Sequence, residues 1–180
     1  MIKVAFLGTG LMGEPMAQRL LAAQVPVVAY NRTASKLETL QTSGAEIADL
    51  PEKAIAKSDC VVLMLTNAEA IKNVLLSEPS KQQLSNRTVI QMSTISPQES
   101  REINDAVVAA GAEYLEAPVL GSIPQAKAGE LQVMVGASEE QFAKWSDFLK
   151  NFGSPVLLGD VGTASATKLA LNQLIASLLS

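Results

Sequence analysis

A lysine and an asparagine four residues apart, Lys168 and Asn172, lie in a stretch that runs from Gly159 through Gly162 into a helical pattern. After Gly162, small residues give way to apolar ones at helical spacing (Leu171, Leu174, Ile175, Leu178), so the two polar side chains share one helix face. An amine among small and apolar residues loses hydration, which lowers its pKa and lets it give and take protons near neutrality. The same pattern also describes a surface lysine snorkelling from an amphipathic helix. The chain contains no histidine, which removes the commonest general base and the commonest ligand of a catalytic zinc. Acid–base chemistry is left to Lys, Asp, Glu, Tyr or Ser, and no metal site is expected.

A second group of residues stands at the other end. Ile2-Lys3-Val4-Ala5-Phe6-Leu7 is a short apolar run that ends in Gly8-Thr9-Gly10-Leu11-Met12-Gly13, and a helical pattern follows to Ala23. The glycines fit the dinucleotide pattern GxGxxG: Gly8 for a tight turn, Gly10 for close approach of a pyrophosphate, Gly13 for close packing of helix on strand. With Leu11 and Met12 they put the helix N-terminus against the phosphates. Glycines also make ordinary turns; the strand before and the helix after favour the binding loop. The next strand, Val25–Tyr30, ends in Asn31-Arg32-Thr33, where a cofactor with a free ribose 2'-hydroxyl would usually meet an acid. Arg32 can instead pair with a 2'-phosphate through its guanidinium, with Asn31 and Thr33 adding neutral hydrogen bonds. The pattern favours NADP(H) over NAD(H), against a merely solvated arginine, and Thr33 is also placed to cap a helix over 34–42.

These residues need a frame, and the alternation of the chain provides one. A helical piece near Pro51–Lys57, a strand Cys60–Leu65, a helix from Ala68 to about Leu76 and a strand Thr88–Met92 follow in turn. Strands apolar on both faces, alternating with helices, imply an α/β fold: a doubly wound, mostly parallel sheet with a trailing C-terminal helix. Ligands in such sheets sit beyond the carboxyl ends of the strands. Leu65, Thr66, Asn67 and Thr94 are therefore expected to line the cofactor cleft, and Ser93 to face the substrate. Ser96 can cap a helix over 98–109, with Pro97 at its first position. The strand from Glu113 runs into a loop where Gly121 and Ser122 either offer donors to a substrate anion or form a plain crossover. A strand Leu131–Val135, a capping box of Ser138 with Gln141 and a strand Pro155–Leu158 complete the dinucleotide-binding unit, 1–161, and the final helix occupies 162–180.

With 180 residues and 48% apolar content, the chain can bury one substantial core. A net charge of −4 with dispersed acids and bases offers no basic stripe for nucleic acid and no polybasic membrane anchor. No apolar run reaches about 18 residues, and Met1 runs straight into a strand pattern, so a cytoplasmic protein is expected. Cys60 is the only cysteine and reads as a small apolar strand residue. The apolar final helix ends without a stop signal, which implies either a longer chain or a partner that covers it.

Taken together, Phe6 to Ala17, Asn31-Arg32-Thr33, Ser93-Thr94-Ile95-Ser96-Pro97, Ala117-Pro118-Val119-Leu120-Gly121-Ser122 and the stretch Gly162–Asn172 resemble the β-hydroxyacid dehydrogenase family. The Asn-Arg-Thr form is most similar to its NADPH-dependent glyoxylate and succinic semialdehyde reductases. The resemblance implies hydride transfer to a small-molecule aldehyde or keto acid, with Lys168 as catalytic lysine and Asn172 beside it. It places Thr94 next to the nicotinamide and makes Gly121-Ser122 the substrate loop. It also implies a helical second domain after the final helix, which closes the site and forms a homo-oligomer interface. Leu120 departs from the pattern, standing where many members have a substrate-holding serine. Imine reductases share the cofactor half, but by resemblance lack a lysine at position 168; a cofactor-binding module without turnover is a further alternative.

Overall fold

Val4–Leu7 (β1) is fully buried, its side chains alternating between the two faces of the sheet it centres. The computed structural model describes residues 1–180. From β1 the chain enters Gly13–Ala22 (α1) and returns as Val27–Tyr30 (β2), parallel to β1 with Val4 opposite Val27. A 3-10 turn, Ala34–Leu37, then leads into Glu38–Thr42 (α2), Glu46–Ile47 (β3) and Pro51–Ala56 (α3). Cys60–Leu63 (β4) lies parallel to the free side of β1. It is followed by Ala68–Leu75 (α4), Glu78–Lys81 (α5) and Thr88–Gln91 (β5), and then by Pro97–Ala109 (α6) and Glu113–Glu116 (β6). Strands β3, β2, β1, β4, β5 and β6 are all parallel in that order, the doubly wound arrangement expected from the alternation.

Beyond β6 the sheet changes direction. Val119–Leu120 (β7) and β6 both pair antiparallel with Leu131–Gly136 (β8), and the register from Glu116↔Gly136 to Val119↔Val133 runs unbroken past Pro118. Between β7 and β8 lies Ile123–Ala128 (α7); after β8 come Glu139–Leu149 (α8), Gly153–Gly159 (β9), parallel to β8, and the long Thr163–Leu179 (α9).

Each face of the sheet has its own apolar layer. Phe6, Val62 and Ile90 pack with Met16, Leu20 and Trp145 on one side, and Leu7, Val61 and Val89 with Ile55, Ile71 and Ile103 on the other. Alternate residues of β1, β4 and the middle of β5 therefore serve opposite cores, which is why Val4–Leu7 and Cys60–Leu63 are apolar throughout, while the polar Thr88 and Gln91 stand at the ends of β5. Cys60 is fully buried within β4, and burial pushes its thiol pKa up, so it acts as core and not as a nucleophile.

The expected elements are present, with differences at their ends. Residues 34–42 do not form one helix, and the Thr33 side chain makes no capping bond there. Ser96 caps α6 as expected, in a full capping box with Glu99, and Ser138 with Gln141 does the same for α8. β3, α5, β7 and α7 are too short to carry a periodic signal.

Candidate active site

The loop between β1 and α1 is shaped by side chains it lacks. Gly8 has φ near +100°, and a Cβ there would lie 2.2 Å from the Met64 carbonyl oxygen. A Cβ on Gly13 would fall 1.9 Å from the Gly8 carbonyl oxygen, so the close approach of α1 to β1 needs glycine at both places. Gly10 differs, since nothing lies within 4 Å of its Cβ position and that space is open to a ligand. No protein acceptor takes the backbone N–H of Gly10, Leu11 or Met12, and no side chain caps α1. Unsatisfied amides at the positive end of a helix, beside an unfilled space, fit the pyrophosphate of a dinucleotide.

A cleft of about 340 Å³ opens here, lined by Thr9, Gly10, Leu11, Lys36, Ile123 and Lys127 among others. Lys36 was not anticipated from the sequence; the signal available was a base following Arg32 within one turn. Its carbonyl accepts the Thr9 hydroxyl at 3.1 Å, which ties the segment after β2 to the glycine loop. Asn31 strengthens the tie: its Oδ1 accepts the Thr9 N–H at 3.0 Å and its Nδ2 donates to the Thr33 carbonyl at 3.1 Å. Asn31 thus braces the loop, and the second Nδ2 proton has no acceptor within the protein. Arg32 and Thr33 are exposed and make no side-chain hydrogen bond, which leaves the guanidinium free to meet an anion.

The ends of β4 and β5 behave similarly. Ser93 is buried, and its hydroxyl accepts the Leu65 N–H at 2.8 Å while its own N–H donates to Gln91 Oε1 at 2.5 Å. Ser93, expected to face the substrate, thus ties together the ends of β4 and β5, and its hydroxyl proton has no acceptor within the protein. Asn67 caps α4 by accepting the Ala70 N–H at 2.8 Å, while Thr66 and Thr94 are exposed at the strand ends. On the crossover after β7, Gly121 and Ser122 are exposed, but the Ser122 N–H and hydroxyl both donate to Gln125 Oε1, at 2.9 and 2.6 Å. An anion that used those donors would compete with the Gln125 side chain for them. Leu120 is half-buried beside them.

Lys168 sits on the second turn of α9, 92% buried, with no hydrogen bond or ion pair among the side chains around it. Burial holds its ammonium below the usual lysine range. A side chain this buried is not a surface lysine snorkelling to solvent. Asn172, one turn on, is exposed, because α9 by then has passed the edge of the domain. The cleft lining does not include Lys168, Asn172, Ser93 or Thr94, so the amine and the glycine loop form separate parts of the site.

Sequence reasoning also missed Glu116, whose buried carboxylate holds the start of α9. The available signal was an acid in an otherwise apolar strand end, Leu115-Glu116-Ala117-Pro118.

Residues 3–162 match the family described as the NAD binding domain of 6-phosphogluconate dehydrogenase. Human mitochondrial 3-hydroxyisobutyrate dehydrogenase is 34% identical, the match covering 96% of this chain and 52% of that protein. The chloroplastic glyoxylate/succinic semialdehyde reductase 2 of Arabidopsis thaliana is 33% identical, over 99% of this chain and 51% of its own length. Among solved structures, an imine reductase from Myxococcus stipitatus in complex with NADP+ superposes with a TM-score of 0.93 at 26% identity, covering 98% of this chain and 62% of that one. The chain spans about half the length of these curated relatives. No helix is long and apolar enough to cross a membrane. A glycine loop with open amides, a parallel sheet around it and a family match along nearly its whole length make this chain a member of the β-hydroxyacid dehydrogenase family, that of 3-hydroxyisobutyrate dehydrogenase, carrying its NAD(P)-binding Rossmann domain.

Proposed function

We propose that the chain is the cofactor-holding part of an NADPH-dependent oxidoreductase for a small aldehyde or keto acid, or the matching hydroxyacid, with Lys168 as proton donor and acceptor. The bound nicotinamide supplies the hydride or accepts it. Lys168 as ammonium polarises the carbonyl oxygen and protonates the developing alkoxide; in the reverse direction its neutral amine takes that proton back. The observation that carries this reading is the burial of an amine without a counter-charge, which makes its proton easier to give up than that of a surface lysine. The glycine loop holds the pyrophosphate through the free amides of Gly10, Leu11 and Met12, and the unpaired Arg32 supports selection of a 2'-phosphate.

The test is Lys168→Ala, assayed for reduction of glyoxylate and succinic semialdehyde alongside NADPH titration. Loss of a single stabilising donor costs roughly 3 kcal/mol of barrier, so turnover should fall about a hundredfold or more with NADPH affinity unchanged. A matching loss of NADPH affinity would sink the role. NADPH binding without turnover in the unmutated chain would favour a cofactor-binding module whose active site is completed elsewhere. The likeness to an NADP+-bound imine reductase supports a second reading, reduction of C=N bonds. Preferential turnover of cyclic imines over aldehydes would establish it, and Lys168 stands against it.

A further inference from the structure

The start of α9 is held by a single carboxylate. Glu116, at the end of β6, is fully buried. Its Oε1 accepts the backbone N–H groups of Gly162 at 2.6 Å, Ala164 at 3.0 Å and Ser165 at 3.2 Å. Its Oε2 accepts the hydroxyls of Ser100, at 2.6 Å, and of Ser165. The Tyr114 hydroxyl extends the network to Ser100 at 2.8 Å. The remaining first-turn amide, that of Thr163, turns back to the Asp160 carbonyl. A helix normally leaves its first amides to water or to a cap from its own chain. Here they converge on an acid 46 residues away in sequence, in the field of a 17-residue helix that favours negative charge at that end.

The surroundings are shaped to admit this carboxylate. A Cβ on Gly136, which faces Glu116 across the β6–β8 pair, would stand 2.4 Å from Oε1. Gly162 has φ near +104°, which aims its N–H at Glu116, and Arg101 of α6 lies alongside it. A buried charge is tolerated only with its hydrogen-bonding capacity filled, and five donors fill this one.

We propose that Glu116 is a positioning residue for Lys168: by gripping the first turn of α9 on the end of β6, it sets the rotation and depth of the helix and so where the amine stands. Ala164 and Ser165 precede Lys168 by one helical turn on the same side, so fixing their amides fixes the direction of its side chain. The inference rests on Lys168 being the proton-exchanging group, but its test does not depend on turnover.

Two conservative variants separate grip from charge. Glu116→Asp keeps the charge but draws the carboxylate back by one methylene, beyond reach of both donor sets. Glu116→Gln keeps the reach: the amide oxygen can accept the three N–H groups while its NH₂ donates to the two serine hydroxyls. Amide hydrogen exchange at Gly162, Ala164 and Ser165, and titration of the Lys168 ε-methylene carbon by NMR, are measured on the full 180-residue chain. In Glu116→Asp, exchange at the three amides should accelerate by about tenfold or more, as for loss of a charge-assisted hydrogen bond, and the Lys168 midpoint should rise toward the ordinary lysine value as the side chain is released to water. In Glu116→Gln both should stay close to the unmutated chain. Unchanged exchange and midpoint in Glu116→Asp would overturn the proposal. So would an effect seen in Glu116→Gln alone, which would make Glu116 only an electrostatic neighbour. If these outcomes hold but Lys168→Ala leaves turnover intact, the grip stands and the catalytic assignment of the lysine fails.

Discussion

Two helices of this molecule begin in the same way and use that beginning oppositely. α1 and α9 each follow a strand and a turn containing two closely spaced glycines, Gly8 and Gly10 before the one, Gly159 and Gly162 before the other. At α1 the amides of Gly10, Leu11 and Met12 have no acceptor within the protein, and the space at the Gly10 Cβ position is open. At α9 the amides of Gly162, Ala164 and Ser165 are taken by the protein's own carboxylate. The first is open to an external anion and the second has an internal one. A glycine turn leading into a helix therefore specifies anion affinity but not whose anion satisfies it.

Substitutions within the α1 loop give the largest expected effects and can break that distinction. Gly8→Ala puts a Cβ against the Met64 carbonyl at a backbone angle that L-residues rarely adopt, so stability should fall by about 3 kcal/mol or more, read as a drop in urea midpoint. Gly10→Ala meets nothing within 4 Å, so its stability should stay within about 0.5 kcal/mol of the unmutated chain. Its NADPH affinity should nevertheless fall by about tenfold or more, because the new methyl occupies space left for the pyrophosphate. A Gly10→Ala chain that binds NADPH normally would mean the open space is not the binding site.

The same contrast explains what could be read before the structure. The glycine loop is local: strand, loop and helix lie within about twenty residues, a spacing that the pattern captures. The sheet was legible for a related reason, since strands such as Val4–Leu7 and Cys60–Leu63 are apolar on both faces and alternate with helices. Glu116 was not legible, because its partners are separated from it by 16 to 49 residues and nothing local in Leu115-Glu116-Ala117 says where they come from. Ser93, Asn31 and Ser122 were correctly placed at strand and loop ends, but their hydrogen-bonding partners Leu65, Thr9 and Gln125 decide whether those groups face a ligand or the protein. Residue type and spacing put a polar group at the cleft; only packing shows whether it is already engaged.

Arg32 sharpens the open site further, by adding a side chain to what is otherwise a backbone feature. A charge-assisted contact to a 2'-phosphate contributes about 2 kcal/mol, so Arg32→Asp should lower the NADPH-to-NADH affinity ratio by roughly thirtyfold. Parallel titrations with the two cofactors measure the ratio directly. An unchanged ratio would remove Arg32 from the 2'-phosphate site and leave the adjacent exposed Lys36 as the nearby cation to test.

The smallest effect concerns stability at the closed end, where Lys168 is buried just past the turn that Glu116 holds. A desolvated amine destabilises the folded state while it carries its proton, so Lys168→Met, similar in length and uncharged, should be more stable than the unmutated chain by about 1 kcal/mol at pH 7. The sign of its pH dependence follows from the lowered folded-state pKa. Below that value both folded and unfolded chains carry the proton and the penalty is fully present. As pH rises from there toward the unfolded value near 10.5, the folded chain releases its proton first, the unfolded chain holds more protons, and the unmutated chain gains stability that the methionine variant cannot. The gap in urea midpoint between the two proteins should therefore be widest at neutral pH and narrow in the alkaline window below 10.5. Because the other titrating groups are common to both proteins, they cancel in the difference. A gap that is absent at pH 7, or that widens as pH rises, would mean the amine is solvated in the folded chain, and the contrast between an open and a closed helix start would then carry no consequence for proton transfer.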